Sequence, residues 1–202
     1  MAASVVKTAR GRATRDRIVA ATADLMIERG VAATSLDDVR ARARVSKSQL
    51  YHYFADKDDL VDAVIARAVD DVLASQPHLA DLSSWSAISA WFDDLVAFRV
   101  ARKGRGGCPI GGLASELADQ REKARLELAR AYARWERPLR RGLEAMQARG
   151  ELDADADPSL LATATMASIQ GGLLLTKTRR DPTQMRIALD AAYAHLRSFA
   201  VA

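Results

Sequence analysis

The chain has 202 residues, 49% hydrophobic, 28% charged and only 5% aromatic, the balance of a globular protein large enough for one or two domains. One cysteine excludes an internal disulfide framework, no Cys/His cluster suggests structural zinc, and no unbroken apolar run reaches the roughly eighteen residues of a membrane span. The net charge of +4 is uneven: residues 1–57 carry 11 Lys and Arg against 6 Asp and Glu, residues 58–202 carry 19 against 20, so an anionic partner is expected for the N-terminal quarter alone.

Alanine supplies about a fifth of the chain, while Gly (11) and Pro (5) are sparse, which predicts an all-α protein of about nine helices. Residues 1–13 are small or basic (Lys7, Arg10, Arg12) and aperiodic, and are read as a flexible basic arm. They lack the apolar segment of a secretory signal, so a cytoplasmic location and no membrane partner are expected. Thr14 is the expected N-cap of a first helix through Ile18, Thr22, Leu25 and Met26, stopped by Gly30. Thr34 or Ser35 caps a short second helix to about Ala43, with Asp37 and Asp38 in its first turn. Ser46 caps a third, Lys47 to Tyr53. Asp56 caps a fourth, whose Leu60, Val61, Val64, Ile65, Ala68, Val72 and Leu73 form the wide apolar face of a core helix.

Ser83 or Ser84 starts a fifth helix to near Arg102. A Gly-rich basic loop, Lys103 to Gly107, precedes a short helix around Ile110 to Asp119. A long amphipathic stretch, Arg121 to Arg149, follows, with Pro138 as an expected kink or break. Pro158 sits at a helix N1 position. The last two helices run from about Ser159 to Arg179 and from Thr183 to Phe199. On the final helix Met185, Leu189, Ala192, Leu196 and Phe199 share a stripe, read either as a homodimer surface built from the last two helices or as intrachain core.

Two short helices joined by a tight turn inside a basic segment form the helix-turn-helix pattern. Leu50 and Phe54, four apart, are expected inside. Lys47, Ser48, Gln49, Tyr51 and His52 are left outside, donors suited to phosphates and base edges of double-stranded DNA. Lys57 lies in the next helix's first turn, where backbone N–H groups favour an anion. This gives a DNA-binding domain over 14–57 and a C-terminal domain over 58–202.

Val45-Ser46-Lys47-Ser48-Gln49-Leu50-Tyr51-His52-Tyr53-Phe54, followed by Asp56-Lys57-Asp58-Asp59-Leu60, closely resembles the TetR family of transcriptional regulators. The resemblance extends upstream through Ile18 to Ala23, Gly30 and Thr34-Ser35. Gly107 to Leu117 and Gln170 to Leu175 resemble the subgroup near the lincomycin-resistance repressors LmrA and YxaF. The resemblance implies an all-helical homodimer with an N-terminal operator-binding motif and a C-terminal inducer site. It also implies phosphate contacts from Thr34, Tyr51, His52 and Lys57 and base-proximal roles for Lys47, Ser48 and Gln49. Against these stand plainer roles: a packed ring for Tyr51, a helix cap for Thr34. The family's turn is usually Ala-Gly-Val, and here it is Ala43-Arg44-Val45. Arg44 in a left-handed conformation would cost roughly 1–2 kcal/mol, with a phosphate contact from Arg44 as one compensation.

For the C-terminal domain, Trp91, Phe92, Leu95, Cys108, Met166, Ile169, Gln170 and Leu173 are the ligand-lining candidates, since ligand sites are mostly apolar with a few placed polar groups; ordinary core is the alternative for most. Neither cofactor nor metal is expected. The chain has no G-x-S-x-G, phosphate loop or H-E-x-x-H, and three scattered histidines (His52, His78, His195), so no enzyme activity is expected. The resulting expectation is a sequence-specific repressor released from a palindromic operator by a small, largely apolar inducer. The alternatives are a DNA-binding dimer without a ligand and a non-specific nucleic-acid-binding protein.

Overall fold

The computed structural model describes residues 8–201. Among them are nine α-helices, one 3-10 turn and no strand, with a single isolated bridge between Leu152 and Ala200. The protein is all-α. The chain divides into two compact units, residues 1–70 with 112–131, and residues 71–111 with 132–202. This grouping differs from a cut at residue 57.

In the first unit, α1 spans Ala9–Arg29, α2 Leu36–Ala43 and α3 Lys47–Tyr53; α4, Lys57–Ala74, starts there. The expected start of α1 at Thr14 is corrected. Thr8 is the N-cap, its hydroxyl accepting from Gly11 N at 3.1 Å, while Thr14 donates back to the Arg10 carbonyl. Residues 9–13 are therefore helical rather than an arm, and residues 1–7 of that assignment lie outside the described residues. Gly30, at φ +86°, ends α1. Capping boxes start the next two helices, Ser35 with Asp38 and Ser46 with Gln49, each pair satisfying two amides that a helix start leaves open. Ile18, Leu25, Val39, Leu50, Phe54 and Leu60 are all buried. Residues 112–131 join this unit: the Glu116 carboxylate accepts Val31 N at 2.6 Å, Lys123 pairs with Asp62 at 2.5 Å, and Arg121 pairs with Asp58.

The second unit holds the end of α4, a 3-10 turn at Pro77–Ala80, α5 (Trp85–Ala101) and the start of α6 (Pro109–Leu117). Most of α7 (Glu122–Ala148), α8 (Pro158–Arg179) and α9 (Thr183–Arg197) complete it. Ser84 caps α5, and Asp157 caps α8 ahead of Pro158 at N1. Pro138 does not break α7, which runs unbroken across it. The reason is its apolar stripe: Ala131, Trp135, Leu139, Leu143 and Met146 are buried on both sides of the proline, and their burial outweighs the roughly 3 kcal/mol of a mid-helix proline. Four of the five residues of the α9 stripe resolve as intrachain core, while Phe199 lies past the end of the helix and is half-buried. Met185, Leu189, Ala192 and Leu196 are buried within the chain, so they form no dimer surface. Helices α8 and α9 approach closely at Gly172, where a Cβ would stand 2.9 Å from Ala188 Cβ and 3.0 Å from Met185 Sδ. Helix α8 is long and apolar enough to cross a membrane by length and composition, yet its Leu161, Met166, Ile169 and Leu173 are buried in this packing.

Candidate functional site

Helix α3 presents the basic unit's polar side chains on one face. Leu50 and Phe54 are buried, while Lys47, Ser48, Gln49, Tyr51 and His52 are exposed. Tyr51 is 48% exposed, so its ring is not packed in the core. The helix is held on its inner side: the Arg15 guanidinium lies 5.4 Å from the Phe54 ring centroid, and Arg17 Nε donates to the Ala43 carbonyl at 3.0 Å, fixing the end of α2. Gln49 Oε1 accepts from Ser46 N at 2.9 Å in the capping box. The capping box uses the Gln49 amide oxygen and leaves its amide donors out of that contact. Ser48 Oγ shares a hydrogen bond with Ser46 Oγ at 3.0 Å.

Three further candidates stand elsewhere. Thr34 is 2% exposed, and its hydroxyl donates to the Gly30 carbonyl at 2.8 Å. Lys57, the first residue of α4, donates from Nζ to the Val31 carbonyl at 2.7 Å. Burial, then the nearby Arg121 charge, lower its pKa, with Asp58 opposing. Its ammonium thus ties the loop after α1, together with Glu116 on Val31 N. Arg44 is exposed at the α2–α3 turn in the left-handed region, φ 53° and ψ 52°. Its N–H bonds to Ala41 and Arg40 carbonyl oxygens, so the turn is kept with a non-glycine residue. Arg44→Gly is expected to stabilise the fold by about 0.5–1 kcal/mol, the relieved strain being partly offset by the freer unfolded chain. Thermal unfolding should show a midpoint higher by roughly 1–4 °C.

The second unit contains a cavity of about 290 Å³. Of the eight lining candidates, Leu95, Cys108 and Leu173 border it; Trp91, Phe92, Met166, Ile169 and Gln170 do not. Trp91, Phe92, Met166 and Ile169 are buried core, and Gln170 Oε1 accepts from the Tyr132 hydroxyl at 3.4 Å. Several lining residues were invisible to periodicity. Gln76 is one: its Oε1 accepts from both Trp91 Nε1 at 2.8 Å and Trp135 Nε1 at 3.2 Å, while its Nε2 donates to the Val72 carbonyl at 2.7 Å. Arg99 and Arg102 are others. Burial pushes the Cys108 thiol above its usual pKa, against weaker opposing hydrogen bonds and Arg99, which keeps it protonated and unreactive at neutral pH.

Comparison with known proteins agrees with this geometry. Residues 18–64 match the family model described as bacterial regulatory proteins, tetR family, and residues 85–192 match that of the tetracyclin repressor-like C-terminal domain. The transcriptional regulator AcuR of Cereibacter sphaeroides is 31% identical over 82% of this chain and 77% of its own. The HTH-type transcriptional repressor DhaR of a Mycobacterium species is 26% identical over 83% and 84%. A TetR transcriptional regulator from Chloroflexus aurantiacus superposes with TM-score 0.81 over 96% of this chain and 98% of its own, at 24% identity. The chain belongs to the TetR family and is a DNA-binding transcriptional regulator.

Proposed function

We propose that the protein is a cytoplasmic homodimeric repressor that holds a palindromic operator through α3 and is released when a small molecule enters the cavity of the second unit. The observation that carries the DNA reading is the exposed α3 face, Lys47, Ser48, Gln49, Tyr51 and His52, on a helix anchored by Leu50 and Phe54. Lys47, Ser48 and Gln49 are assigned to base edges. Tyr51, His52 and the Arg44 side chain are assigned to phosphates. Thr34 and Lys57 act behind them by fixing the loop that carries α2. An effector releases DNA only as far as its affinity differs between operator-competent and operator-incompetent states.

Fluorescence anisotropy tests the DNA reading. The full chain is titrated onto DNA from upstream of its own gene and onto scrambled DNA, across a salt series. Selective binding that persists at raised salt is expected, with Lys47→Ala plus Tyr51→Ala weakening it roughly a hundredfold. In the same assay Arg44→Gly lowers affinity while raising stability. Equal binding to both DNAs that vanishes with salt points instead to the sequence-independent electrostatic mode.

A further inference from the structure

Arg99 is the one charged side chain buried among the described residues, 9% exposed, and it lines the cavity. Its Cζ lies 4.6 Å from the centroid of the Phe98 ring, and the Arg102 guanidinium sits 4.5 Å from the same centroid. Its hydrogen bond is a long one, from Nη1 to the Gly106 carbonyl at 3.4 Å. Among the described residues no carboxylate pairs with it. Asp94, also in the lining, is bound to His78 Nδ1 at 2.5 Å. Burial, and then the like charge of Arg102, both lower the Arg99 pKa, a sign that the cation is desolvated and repelled rather than paired.

A desolvated guanidinium without a counter-ion is unfavourable. Its planar fork matches a carboxylate, bound through two parallel hydrogen bonds. The walls beside it are apolar, from Leu95, Phe98, Trp135 and Leu173. The volume lies at the small end of ligand pockets.

We infer that the cavity takes a small monocarboxylic acid, its carboxylate paired with the Arg99 guanidinium and its apolar body against Leu95, Phe98, Trp135 and Leu173. This deepens the effector reading above and rests on it: it replaces a largely apolar inducer by an apolar acid.

Calorimetric titration of the full chain tests it with straight-chain acids from acetate to octanoate, benzoate and phenylacetate, each against its primary amide. At least one acid should bind saturably, its amide at least tenfold more weakly, and Arg99→Gln should reduce acid binding roughly a hundredfold. Arg99→Lys retains the charge but not the fork and should fall between. Without ligand, Arg99→Gln should melt no lower than the parent, because it removes an uncompensated buried charge. The acid-against-amide comparison on the unaltered chain needs no variant. Amides binding as well as acids, acid binding that survives Arg99→Gln, or no binding by any acid in the series overturns the inference. Anisotropy on operator DNA separates it from the inducer reading. An acid bound through Arg99 that leaves operator affinity unchanged removes the inducer role and upholds the carboxylate site. A neutral compound that binds the cavity and releases DNA upholds the inducer role and overturns the carboxylate.

Discussion

Gly142→Ala is expected to lower stability by roughly 3 kcal/mol, seen as a fall of about 6–12 °C in the thermal midpoint. Gly142 lies in α7 against the segment joining the 3-10 turn to α5. A Cβ there would overlap the Leu82 carbonyl oxygen and stand 2.5 Å from its carbonyl carbon and 3.1 Å from its Cβ. The obstacle is backbone, not the end of a flexible side chain. That backbone is also held from several sides. Leu82 is buried, Asp81 accepts from Ser83 N at 3.0 Å, Arg149 donates to the Ser83 carbonyl, and Ser84 caps α5. Relief requires moving either α7 or the start of α5. Gly112→Ala is the matching control. No atom lies within 4 Å of a Cβ at that position of α6, so the better helix propensity of Ala should leave stability unchanged or raise it by up to about 1 kcal/mol. Scanning calorimetry on the two variants separates steric overlap from propensity, since both replace a helical glycine by the same residue.

The parts of this fold that were legible in the sequence are those whose partners lie within one helical turn. Ser46 at the start of α3, Ser35 as one of two caps offered for α2, and Pro158 at N1 of α8 are readable from local residue type, and the family pattern over α3 places the same residues. The start of α1 shows the limit even of local signals: Thr14 has the residue type of a cap, yet its hydroxyl bonds back to the Arg10 carbonyl and Thr8 caps the helix. What escaped reading were ties between distant residues. Arg17 to the Ala43 carbonyl, Glu116 to Val31 N, and Gln76 to Trp135 have no signature along the chain, yet they set the α3 turn, the loop before α2 and the cavity wall. Periodicity failed in a more instructive way on α9. Spacing correctly groups Met185, Leu189, Ala192 and Leu196 on one face, but a shared face does not say what covers it. Here α8 covers it, at a separation that only Gly172 permits. The same limit applies at the cavity. Trp91 and Phe92 have the composition expected of a lining, yet they support it from the core, and the charged Arg99 faces the space.

Leu174→Arg combined with Ile187→Arg is expected to convert the protein to a monomer in sedimentation velocity and to weaken operator binding by roughly 10²–10⁴-fold. The stripe that α9 shows in the sequence is spent within the chain, so a dimer formed through the last two helices would use their opposite sides. Those sides carry Leu160, Leu174 and Ile187, each more than 60% exposed, along with Leu175. Ala167, Gly171, Ala191 and Ala194 are exposed between them, and a Cβ at Gly171 would meet nothing within 4 Å. Large apolar residues spaced by small ones let two helices approach closely. Two such helices from each copy, related by a two-fold axis, make a four-helix interface. Both substituted residues point away from their own chain, so the monomer fold should persist, with unchanged helical content. Its thermal midpoint should lose dependence on protein concentration, because association no longer contributes. The DNA consequence follows from linkage. With two reading helices joined, the second half-site is bound at a high effective concentration; once they are separated, each helix must hold its few base pairs alone. A double variant that remains dimeric would move the interface away from α8 and α9. One that becomes monomeric yet keeps full operator affinity would remove the two-fold operator instead.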